Sequence, residues 1–120
     1  MDEIEIRRNL EGHAIRNKEL QSTLISYGVA LDDVQGIEHH FWVNDRMAAA
    51  LLAKSLYDQG FLILDLSPVI QADGSRTWNV EAHIDQKPTT ALSGEFSEQL
   101  VRLAARFQAI YDGWGMSIDK

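Results

Sequence analysis

The hairpin signal at Ala72-Asp73-Gly74 constrains this chain most tightly, because a one-residue slip in register would turn every side chain of two strands over. Phe61–Ile70 and Arg76–Asp85 flank it as strands. A two-residue Asp73-Gly74 loop would set Leu62, Leu64 and Leu66 opposite Asp85, His83 and Glu81. A three-residue loop with Gly74 in the left-handed conformation pairs Leu66 with Val80, Leu64 with Ala82, and Leu62 with Ile84. That register sets apolar against apolar, and it is the one expected. Pro68 has no amide hydrogen to give a ladder, so the first strand of the hairpin is expected at a sheet edge.

The other elements follow from periodicity and punctuation. Ile37–Val43 alternates, with Ile37, His39, Phe41 and Val43 on one face and Glu38, His40 and Trp42 on the other. Residues 2–26 carry a helical stripe of Ile4, Leu10, Ile15, Leu20, Leu24 and Ile25 that ends before Gly28. Gly12 interrupts it, which predicts two short helices or a frayed first turn. Asn44 is the expected N-cap of a helix over Asp45–Gln59 that Gly60 terminates. Ser93 caps a second helix over Gly94–Ala109, whose stripe is Phe96, Leu100, Leu103, Ala104 and Phe107. Lys87–Leu92, containing Pro88, reads as a loop, and Ile110–Ile118 as the last strand.

After the N-terminal helix (1–26) the order is therefore β-α-β-β-α-β. With right-handed crossovers this gives an α+β, ferredoxin-like sandwich over residues 36–118. Its antiparallel four-stranded sheet has the first and third strands at the centre and two helices on one face. A length of 120 residues fits a single domain, 1–120.

Composition narrows the function classes. The net charge is −7, from 18 acidic and 11 basic residues, which disfavours direct binding of a nucleic-acid phosphate backbone and favours a basic protein partner. No apolar run approaches a membrane span, and Met1-Asp2-Glu3 opens no secretion signal, so no membrane contact and a cytoplasmic location are expected. The absence of cysteine excludes disulfides and thiolate metal sites.

The face turned away from the two helices gathers Glu38, His40, Trp42, Asp65, Asn79, Glu81, His83 and Asp85. Acid–base catalysis by such residues needs a concave, water-excluding pocket, which an open sheet face lacks. No nucleophile elbow, phosphate loop or dinucleotide fingerprint is present. No catalytic residue and no cofactor are therefore assigned, and a binding surface is the leading reading. The alternative is a metal or small-ligand site, since Glu38, His40, Glu81 and His83 are hard or borderline ligands on adjacent strands, although their spacing matches no ligand signature. His39 points the other way, as a hydrogen-bonded core histidine. Trp78 falls on the apolar face, while Trp42 and Trp114 are either interface anchors or packing beneath the N-terminal helix. Asp112-Gly113-Trp114-Gly115 could be a loop that cradles a ligand, but its glycines read in preference as close helix packing or a bulge at an edge strand.

Gly36-Ile37-Glu38-His39-His40-Phe41, followed about seventy residues later by Tyr111-Asp112-Gly113-Trp114-Gly115, resembles the regulator of ribonuclease E activity B (RraB) family. The likeness extends from about Leu20 to Ile118. The resemblance implies a ferredoxin-like fold and a non-enzymatic protein that binds ribonuclease E on its regulatory, degradosome-scaffolding half and alters its cleavage of RNA. Taken with the open sheet face, the two motifs give Glu38, His40, Trp42, Glu81, His83, Asp112 and Trp114 as the expected partner-binding residues, while Glu38, His40, Asp112 and Trp114 could equally maintain the fold. The best-known members carry a long acidic C-terminal tail, whereas the sequence here reaches Lys120 shortly after the last strand. Oligomeric state is left open.

Overall fold

The computed structural model describes residues 2–116. The elements run α1 (Glu3–Ser26), β1 (Gln35–Val43), α2 (Arg46–Asp58), β2 (Leu62–Ile70), β3 (Arg76–Gln86), α3 (Pro88–Leu92), α4 (Gly94–Arg106) and β4 (Ala109–Gly115). The four strands form one antiparallel sheet in the order β2-β3-β1-β4, the split arrangement expected from the element order. The expected end of the last strand at Ile118 lies outside the described residues. Among the described residues, no helix is long and apolar enough to cross a membrane.

Local chemistry explains most boundaries. Gly28 and Gly60 both lie at positive φ just past a helix. After each, the next amide reaches back to close a Schellman cap, Val29 to the Leu24 carbonyl and Phe61 to the Leu56 carbonyl, each at 3.0 Å. Ser93 caps α4 through the Phe96 amide. At α2 the cap is Asp45, whose carboxylate accepts from the Ala48 amide at 2.9 Å, so the expectation of Asn44 was one residue early. Gly12 does not break α1, which runs as one helix of 24 residues. Lys87–Leu92 is not a plain loop either. Pro88 begins the short α3, its fixed φ suiting a first helical position, and Pro88 and Ala91 are buried.

The hairpin turns as expected. Gln71 and Ser75 close a three-residue loop through a 2.8 Å bond from the Gln71 amide to the Ser75 carbonyl, with Gly74 at φ 85°. Leu66 pairs with Val80, but a bulge between Ile63 and Asp65 leaves Leu64 without a partner, and Ile63 then faces Ala82. The expected pairs Leu64–Ala82 and Leu62–Ile84 are thereby displaced. Ile63 packs on the core, while Leu62 and Leu64 stand exposed on the free edge that Pro68 also marks. A bulge and a proline together twist and interrupt an edge that would otherwise template pairing with another chain.

The core lies between the sheet and helices α2 and α4. Phe41, Val43, Val80, Ala82 and Tyr111 from the strands meet Leu52, Leu56, Leu100 and Val101. Trp78 packs at its margin. Parity on β1 holds throughout: Ile37, His39, Phe41 and Val43 are buried and Glu38, His40 and Trp42 are half-buried on the far side.

Candidate functional site

The two motifs meet at His39. Its Nδ1 lies 2.8 Å from the Tyr111 hydroxyl and its Nε2 lies 2.7 Å from Gln86 Oε1. The Gln86 oxygen only accepts, so Nε2 carries the proton and Nδ1 accepts from the tyrosine O–H. Burial lowers the His39 pKa to about 4, against a smaller opposing effect of the Gln86 bond, and the ring stays neutral. Every polar atom of this buried trio that reaches the imidazole has a partner, which is the pattern of a structural network rather than a reactive one.

The Tyr111-Asp112-Gly113-Trp114 segment holds α1. His13 Nε2 donates to the Tyr111 carbonyl at 2.9 Å, and its ring stacks on the tyrosine with centroids 4.7 Å apart. Arg16 donates to the Asp112 carbonyl at 2.9 Å, and the Trp114 indole donates to Asn17 Oδ1 at 3.0 Å. Asn17 also donates to Ser97 of α4 at 3.2 Å. The register between β1 and β4 slips at Asp112, because His40 faces Gly113 while Phe41 faces Tyr111. Gly113, at φ 119°, supplies the backbone that this bulge needs. As expected, then, Gly113 serves an edge-strand bulge. The slip turns Trp114 to the helix side, paired with His39, so it anchors α1 and does not join Glu38 and His40.

None of the hydrogen bonds of α1 reaches Glu38, His40 or Trp42. The helix packs against α4 and β4 on the already covered side, and its Ile6 enters the core there. The other face of the sheet carries what the β1 parity assigned to it. His40 lies opposite Glu81, Glu38 opposite His83, and Trp42 between Asn79 and Ile110. One ligand atom each from Glu38, His40 and Glu81 lies within 4.8 Å of the others. Burial first, and then the Glu38 carboxyl beside it, hold the Glu81 carboxyl above its ordinary range; His40 opposes this and Asp65 adds to it. Asp65 stands across from Glu81, its oxygen bonded by Ser67 at 2.7 Å and Asn79 at 3.2 Å. His83 turns away from this group to Asp85, at 3.0 Å. Its ring lies over Gly36, where an added Cβ would meet it at 2.7 Å. The seven residues singled out from the sequence thus divide: Glu38, His40, Trp42, Glu81 and His83 share the open face, Asp112 is an exposed bulge residue, and Trp114 belongs to the helix side.

Sequence reasoning missed His13, Arg16, Asn17 and Gln86. The buried positions of α1 are Ile6, His13, Asn17 and Leu24, whereas Ile4, Ile15 and Ile25 of the expected stripe are exposed. The spacing of seven, four and seven residues is a regular helical seam. It is visible only if polar residues are allowed on the buried face. A groove of about 620 Å³ runs between α1 and α4, lined by Asn17, Gln21, Leu92, Glu95 and Glu98 among others, and holds none of the seven.

A family model described as Regulator of ribonuclease activity B matches residues 14–116, a span that includes both motifs and the second half of α1. The chain is 29% identical over 110 residues to the Regulator of ribonuclease activity B of Shewanella denitrificans, covering 92% of this chain and 85% of that protein. It is 30% identical over 112 residues to the protein of the same name from Shewanella amazonensis, with 92% and 78% covered. With that of Alteromonas mediterranea it shares 26% identity over 99 residues, 82% of this chain and 75% of the relative.

Proposed function

The chain belongs to the RraB family, the regulators of ribonuclease activity B, and from that premise we propose that it is a non-catalytic cytoplasmic protein that binds ribonuclease E and alters its cleavage of RNA. The observation that carries the mode of action is the open sheet face. Among the described residues no helix covers it, its half-buried polar side chains include Glu38, His40 and Glu81, and Trp42 with the exposed Ile110 adds an apolar flank. Among the described residues, no Lys or Arg side chain forms an ion pair with Glu38, Asp65 or Glu81. An acidic face without its own counter-charges, on a chain of net charge −7, fits a basic segment of the partner.

In this reading Glu38, Glu81 and Asp112 accept cationic groups of the enzyme, Trp42 supplies the apolar anchor, and His40 and His83 flank them. Trp114 acts at one remove, by holding α1. The test is a pull-down with the host's ribonuclease E together with an RNA-cleavage assay. Complex formation that weakens with salt, and slower cleavage, are expected; a double change Glu38→Gln with Trp42→Ala should weaken both by about tenfold or more. Neither binding nor altered cleavage at tens of micromolar chain would overturn the proposal.

A further inference from the structure

The geometry points to a divalent-cation site on the open sheet face, formed by Glu38, His40 and Glu81 with a first-row cation such as Zn2+ as the ligand. The site does not depend on the ribonuclease reading and is tested on the chain alone.

The three donors are placed by the two central strands. Glu38 and His40 are two residues apart on β1 and so share a face, and Glu81 is the cross-strand partner of His40 on β3. Their ligand atoms lie within 4.8 Å of one another. Donors around a tetrahedral Zn2+ sit about 3.4 Å apart at a metal–ligand distance of about 2.1 Å. The widest pair therefore has about 1.4 Å at most to close, a movement that side-chain rotations of the two flexible glutamates supply. Two carboxylate oxygens and one imidazole nitrogen form a mixed hard and borderline set, suited to Zn2+ ahead of Mn2+ and poorly suited to Mg2+, which favours oxygen ligands alone.

Two further features favour a cation at this place. Glu38 and Glu81 converge on it with Asp65 beside them, and among the described residues no Lys or Arg pairs with any of the three. Like charges brought together on neighbouring strands are destabilising unless something compensates them. Among the described residues, the β4 partner of Glu38 is Gly115, which carries no side chain to stand over the group. Three protein donors on an open face leave the remaining positions to water. His83, read from the sequence as a fourth ligand, stands outside the converging group, its Nε2 turned to Asp85.

Calorimetric titration of the tag-free full chain with Zn2+, Mn2+ and Mg2+ at neutral pH tests this. One Zn2+ per chain is expected, bound at about 10 μM or tighter, with Mn2+ weaker and Mg2+ not detected. Glu81→Gln and His40→Ala should each weaken Zn2+ binding by about tenfold or more, and His83→Ala should change it by less than about twofold. Thermal melting verifies that the variants fold, and Glu38→Gln replaces His40→Ala if that one does not. No Zn2+ binding by the wild type at about 100 μM overturns the site, as does binding that survives both substitutions or is lost equally on His83→Ala.

Discussion

His39 and His40 are neighbours in sequence and stand on opposite faces of one strand, and the two faces solve the problem of polar groups in different ways. On the helix-covered face His39, Tyr111 and Gln86 satisfy one another, and Asn17 ties Trp114 to Ser97. On the open face Glu38, His40 and Glu81 crowd together, with Asp65 alongside, and find no cationic side chain among the described residues. A buried polar group must be paired inside the fold, because water cannot reach it. A half-buried one can wait for a partner from outside. The same residue types therefore serve architecture on one side and, in the function proposed above, recognition on the other.

The sharpest way to break this contrast is to remove each histidine in turn. His39→Leu leaves the Tyr111 hydroxyl and the Gln86 amide without partners in the core, at an expected cost of about 2–4 kcal/mol in urea unfolding. His40→Ala should stay within about 0.5 kcal/mol. Equal losses would show that the faces do not differ as described. The pH dependence follows from the same burial. The folded His39 is held near a pKa of about 4, below its ordinary 6.5, so the unfolded chain takes up the proton first. Stability should be complete above about pH 6.5 and decline as pH falls towards 4, approaching about 3 kcal/mol of loss at the acid end. His13, lowered by burial as well, adds in the same direction. His39→Leu should flatten this slope while His40→Ala preserves it.

How much of this was legible depends on how local its cause is. Parity on β1, the left-handed Gly74, the helix-ending Gly28 and Gly60, and Pro68 at an edge are all decided within a few residues, and each emerged from the sequence. The bulge in β2 did not, and the one expected around Gly113 did not reveal which way it would turn Trp114. Leu62, Leu64 and Leu66 alternate without fault, yet the strand slips at Leu64 so that Ile63 packs inward. The slip at Asp112 turns Trp114 to the helix side, against α1, the second of the two roles the sequence left open to it. Where a bulge falls, and which side chains it turns, is chosen by the sheet as a whole and not by the alternation within one strand. The polar seam of α1 was hidden for a different reason. His13 and Asn17 look like solvent-facing residues until Tyr111, Trp114 and Ser97 are there to receive them.

That seam supplies the intermediate effect. Asn17→Ala strips the Trp114 indole and the Ser97 hydroxyl of a shared partner, and about 1–2 kcal/mol of stability should go with it. The loss should be concentrated in α1, since the seam joins that helix to β4 and α4. Amide hydrogen exchange then distinguishes a local from a global role, with faster exchange along α1 and unchanged protection in β1 and β3. Uniformly faster exchange would mean that the clamp on α1 is part of the central fold and not an attachment to it.

The smallest effect probes the open face from the other side. Glu81 is held above its ordinary carboxylate range by burial and by Glu38, so its ionisation weakens the fold as pH rises through that raised pKa. This sign is opposite to that of His39. Glu81→Gln removes one of the converging charges and should stabilise the chain by about 0.5 kcal/mol at neutral pH in chelator and low salt. The gain should shrink at about 1 M salt, where the Debye length is about 3 Å, and should vanish at a pH low enough to protonate the wild-type carboxyl. A variant less stable than wild type under those conditions would mean that the carboxylates of this face are already compensated within the fold. In that case neither a cation nor a basic partner would be needed to balance them, and the difference between the two faces would be one of exposure alone.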